Sequence, residues 1–206
     1  TLGTKEIIAN ISRKEILKYY HKWYVPSNII TIIVGDVNTD EALNLVKTSF
    51  DGFPAKKMPR VNYQKEPLLT KAVESNIKGD YKQSYVEIGY RAPSIKENKD
   101  SYALDVAAIV LGQGKSSRLY KRLKQNTNLV NSIYASNFTM RDDGIFLVDV
   151  NMQPENIKTV ENAIFEEIDK LKNNPITEEE LKRAKKTVER EFIYSNESVE
   201  NIATSI

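Results

Sequence analysis

Asn131-Ser132-Ile133-Tyr134-Ala135-Ser136-Asn137-Phe138-Thr139-Met140, Arg141-Asp142-Asp143-Gly144, then Ile145-Phe146-Leu147-Val148-Asp149-Val150-Asn151-Met152 is the stretch on which the fold turns. Apolar residues recur along both flanks as in strands with a buried face, and the Asp-Gly turn joins them. Gln153-Pro154 follows at once and opens a long helix with Ile157, Val160, Ile164 and Ile168 facing inward. Asn173-Asn174-Pro175 ends that helix. Thr177-x-x-Glu180 is a capping box, and it starts another helix that runs past Phe192.

The same plan precedes this stretch. Residues 70–77 and 84–90 alternate polar and apolar side chains as half-buried strands, with Gly79-Asp80 in the loop between them. A helix from Ser101 turns Leu104, Ala107, Ala108 and Leu111 inward, and Gly112-Gln113-Gly114 breaks it. Ser116 or Ser117 then starts a shorter helix through Leu119 and Leu123. Further upstream, Ser12 and Glu15 form a capping box ahead of Ile16, Leu17, Tyr20 and Trp23 at helical spacing. Pro26 stops that helix near Tyr24. Residues 28–34 form an apolar, β-branched run that reads as a buried strand closed by Gly35-Asp36. Thr39 or Asn38 caps a further helix carrying Ala42, Leu43, Leu45, Val46 and Phe50.

Periodicity lapses over residues 53–67, where Pro54, Lys56, Lys57, Pro59, Lys65, Glu66 and Pro67 give a linker composition. The order is therefore helix, strand, helix, linker, then β-β-α-α-β-β-α-α. That order predicts an α+β fold, a largely antiparallel sheet with helices layered on one face.

Composition narrows the function. The chain has 206 residues, 40% hydrophobic and 28% charged, enough for one full domain and part of another. Net charge is only +2 with both signs interspersed, so no basic face for nucleic acid is implied. Cysteine is absent, which removes disulfides, thiolate metal sites and thiol nucleophiles. No apolar run approaches the ~20 residues of a membrane span. The opening Thr1-Leu2-Gly3, in place of a start methionine, reads as the beginning of a fragment.

Three segments together carry a family resemblance. The first is Ile11-Ser12, leading a helix into Tyr24-Val25-Pro26-Ser27-Asn28, with Ile33-Val34-Gly35-Asp36 beyond it. The second is Ile109-Val110-Leu111-Gly112-Gln113-Gly114-Lys115-Ser116-Ser117-Arg118-Leu119-Tyr120. The third is Gln153-Pro154-Glu155-Asn156 followed by Ile176-Thr177-Glu178-Glu179-Glu180-Leu181. In this order the chain resembles the pitrilysin/insulinase-type zinc metallopeptidases, the group that includes mitochondrial processing peptidase. The resemblance implies the fold shared by LuxS and that peptidase. It implies that residues 1–55 are the tail of an upstream zinc-bearing domain, 56–67 a linker and 68–206 a second, non-catalytic domain. It also implies a chamber that admits peptide substrate, a homologous partner subunit or homodimer, and zinc in the full-length protein. A bacterial cytoplasmic or periplasmic setting is expected.

That family's chemistry needs His-x-x-Glu-His on a helix, two imidazoles for zinc and a carboxylate base. This chain has one histidine, His21, and no such motif, so no metal ligand and no catalytic residue is assigned within it. The resemblance implies that the second domain brings an arginine and, seven residues on, a tyrosine to the substrate carbonyl. Those positions fall on Lys124 and Asn131. A lysine offers a point charge without the guanidinium fork, and an asparagine lacks the phenol's reach. Arg118 with Tyr120, or Arg122 with Tyr134, are shifted stand-ins; packing roles are expected for them instead. The acid run 178–180 is expected to be a solvated first turn. Gly112-Gln113-Gly114-Lys115-Ser116 is expected to be helix punctuation, not a phosphate cradle. Two readings follow: a chamber-wall and interface portion of a zinc endopeptidase subunit, or an inactive assembly subunit of the same family.

Overall fold

The computed structural model describes residues 3–62, 64 and 66–206; Thr1, Leu2 and Lys65, named above, lie outside them. The chain divides into two compact units, residues 1–74 with 195–206, and residues 75–194.

The first unit is helical. Helix α1 spans Lys5–Asn10 and α2 spans Arg13–Trp23, the latter started by the expected reciprocal Ser12–Glu15 capping box. Helix α3, Thr39–Ser49, is capped by Asn38, whose side chain accepts from the amides of Asp40 and Glu41. Among the described residues of this unit Val25 alone is buried. The expected strand at 28–34 pairs with no other segment among the described residues, and Ile30 is 88% exposed. A β-branched run favours extended backbone, but it becomes a strand only when a neighbour takes its hydrogen bonds.

The second unit holds the core. Strand β1 is Ser84–Ala92, and helix α4 is Asn98–Gly112. Strands β2, Val130–Phe138, and β3, Gly144–Met152, form the expected hairpin. Helix α5, Ile157–Asn173, and helix α6, Glu178–Ser195, follow; α7, Val199–Ser205, belongs to the first unit. The sheet is antiparallel in the order β1-β3-β2, with β1 registered from Ser84 opposite Met152 to Ala92 opposite Gly144. Residues 70–77 do not join it, and β1 takes its partner from β3. Alternation told which face of 70–77 is apolar, but it carried no information on the partner.

Helices cover one face, as the α+β reading requires. Phe146, Val148, Val150 and Met152 of β3 point into a core with Ala108 and Leu111 of α4 and with Val160, Ala163, Ile164 and Ile168 of α5. Ala184 of α6 packs on Ile109 and Val110, on the far side of α4. The C-terminal part of α4 is therefore covered on both sides, which is why 107–111 reads Ala-Ala-Ile-Val-Leu without a polar face.

Two glycines end α4 for different reasons. Gly114 has φ +76°, the left-handed conformation that stops a helix at least cost. Gly112 has no room for a side chain: a Cβ there would lie 2.6 Å from both the Cβ and the backbone nitrogen of Ala135 on β2. The side-chain amide of Gln113 donates to the Ala135 carbonyl at 3.0 Å and fastens that contact.

Candidate functional site

Lys124 and Asn131 each lie on an irregularity of the backbone. The helix after Gly114 is short and over-wide: Tyr120–Gln125 is a π-helix, with the Asn126 amide bonded five residues back to the Lys121 carbonyl at 2.9 Å. Lys124 sits in that turn, half-buried. The turn is tied off by Thr127, whose hydroxyl donates to the carbonyls of Arg122 (2.9 Å) and Leu123 (3.2 Å). Asn128 then adopts φ +51°, an αL position that asparagine tolerates better than most residues. The Leu129 amide returns to the Leu123 carbonyl at 2.8 Å. Thr127→Val should cost about 1 kcal/mol of stability and speed amide exchange at Leu129, read by urea melts and hydrogen exchange.

Strand β2 is irregular at its start. Val130 opposes Met152 and Ser132 opposes Asn151, so Asn131 is the surplus residue of a β-bulge. Its side-chain amide donates to Oδ1 of Asn151, a buried residue, at 2.8 Å. A bulge re-aims the side chain it carries, and here that side chain is turned to a neutral amide on β3.

The nearby arginines are committed elsewhere. Arg122 is bonded to Glu166 and, at 2.9 Å, to Glu167, both on α5. Burial pushes the Glu167 carboxyl upward, but hydrogen bonds from Lys170 and Arg122 outweigh it and hold the group below its ordinary range. Arg118 forms a two-pronged bridge to Glu180, Nε to Oε1 at 2.7 Å and Nη2 to Oε2 at 2.8 Å. Tyr120 packs on the core, whereas Tyr134 stands half-exposed on the uncovered face of β2. Core or cross-strand packing was expected of Tyr134; the core place is not taken, because position 134 alternates to the side of the sheet that no helix of this unit covers, opposite Asp149 of β3.

The acid run also needs a correction. Glu178 and Glu179 are exposed as expected, but Glu180 is not a solvated first-turn residue. It closes the Thr177 capping box, accepting from the Thr177 amide at 2.9 Å, while it receives Arg118. The Arg118 hydrogen bonds, with help from Thr177, pull its carboxyl down to about 2. The Thr177-x-x-Glu180 spacing signalled the box; nothing local signalled a partner 62 residues away.

Gly112-Gln113-Gly114-Lys115-Ser116 is a joint between helices. Its carbonyl at Gly114 is taken up by the Ser117 hydroxyl at 2.8 Å. His21 is exposed on α2. Among the described residues no group of three or more His, Asp or Glu side chains is placed to hold a metal ion. The donors present therefore do not fit a zinc centre, and no step of zinc chemistry is derived from them. An apolar groove of about 540 Å³ opens beside β1, lined by Tyr90, Leu104, Ala107, Phe146, Ile168 and Leu171 among others. Burial, and secondarily the charge of Asp169, raises the Tyr90 phenol above its ordinary range. No helix of the described residues is long and apolar enough to cross a membrane.

Residues 10–188 match the family described as "Peptidase M16 inactive domain". The zinc protease PqqE of Helicobacter pylori is 32% identical over 208 residues, a match to 98% of this chain and 46% of that protein. A solved protease structure from Helicobacter pylori superposes with a TM-score of 0.89 at 31% identity, over 98% of this chain and 49% of the other. A peptidase M16 inactive domain from Pseudomonas fluorescens gives 0.82 at 20% identity, over 98% and 48%. The chain thus spans about half the length of the curated relatives it matches.

Proposed function

This chain belongs to the family of M16 peptidase inactive domains, and from that premise we propose that it supplies the wall and the subunit interface of a peptide-admitting zinc protease. It makes no bond to the metal in that role. Residues 1–55 would belong to the zinc-bearing domain, 56–67 would be the linker, and 68–206 the non-catalytic domain. Zinc and the general base would be carried by a segment equivalent to the part of the relatives outside the match. The setting is the bacterial cytoplasm or periplasm.

One observation carries the reading. The positions that the resemblance assigns to a carbonyl-binding Arg and Tyr hold Lys124 and Asn131, and the Asn131 amide is spent on Asn151. A group meant to stabilise a developing oxyanion must be aimed at it beforehand, and the donors nearest by type, Arg118 and Arg122, are locked to glutamates. The carbonyl-binding pair is therefore supplied by a homologous partner, with this domain as its counter-face.

The test is zinc content and peptide cleavage by the full-length protein, alone and with the product of its neighbouring gene. Cleavage that requires the neighbour, with Lys124→Ala and Asn131→Ala each changing kcat/KM by less than about twofold, is the expected result. Loss of about a hundredfold on Lys124→Ala, the scale of a missing oxyanion donor, would return that residue to the reaction. The second reading, an inactive assembly subunit, is favoured by the same two substitutions, and full-length protein without bound zinc would select it.

A further inference from the structure

No further inference is drawn: the strongest candidate, the polar pocket of Ser101, Asp105, Asn137 and Thr139 between α4 and the end of β2, where the buried Oδ1 of Asn137 has no hydrogen-bond partner among the described residues, holds a single carboxylate that already accepts from the Asn137 amide at 2.8 Å, and nothing in the structure shows what ligand it would take.

Discussion

Gly112→Val should lower the stability of the second unit by about 3 kcal/mol, the upper end of what overpacking a close contact costs. Adding a Cβ at 112 brings it to 2.6 Å from the Cβ of Ala135 and from its backbone nitrogen. Flexible side chains can yield by rotating; a strand amide cannot without dragging the β2–β3 hairpin with it. The helix C-terminus would have to move off the sheet, and Gln113 would lose its bond to the Ala135 carbonyl. Urea unfolding followed by far-UV circular dichroism should show a lower midpoint with an unchanged slope. Gly114→Val, by contrast, meets nothing within 4 Å and costs only the strain of φ +76°. A smaller loss at 112 than at 114 would refute the close-approach argument.

Glu180→Ala should be the second most damaging change, at about 2 kcal/mol after allowing for partial solvent screening. It removes the carboxylate that both closes the α6 capping box and holds the Arg118 guanidinium, leaving that cation half-buried without its partner. The pH dependence has a definite sign. The folded-state pKa of Glu180 is depressed to about 2 from an ordinary 4.5. Its contribution is thus complete above pH 4.5 and is lost as pH falls from there toward 2. Denaturation midpoints of wild type and Glu180→Ala should differ in full at pH 7, and by less than half as much at pH 3. A difference that stayed constant across that range would mean packing, not charge, sets the loss.

What could be read in advance follows from how local each signal is. The β2–β3 hairpin, α5 and the two capping boxes were legible because alternation, helical spacing and a four-residue motif each lie within one short window. The strand expected at 70–77 did not form, since an alternating pattern is silent about a partner and β3 is the strand that pairs with β1. Glu180 was misplaced for the same reason: its decisive contact is Arg118, far off in sequence. At the candidate site the residue types at 124 and 131 could be read. Their placement on a π-turn and a bulge could not, because a surplus residue leaves no mark in a hydrophobic pattern. Tyr134 shows the converse, an aromatic on a strand that faces away from the helices.

Those two surplus residues bear on how the chain can change length. The register Val130 opposite Met152 and Ser132 opposite Asn151 would be a regular antiparallel ladder if Asn131 were simply absent. A single-codon deletion there would leave every later side chain of β2 on its present face. Deleting Ser132 instead would have the same effect, since Asn131 would then take its place opposite Asn151. The π-turn offers a similar allowance in the helix before it, since tightening it to an α-turn releases one residue. The segment from 120 to 131 is therefore where this chain should tolerate the loss of a residue with the least refolding.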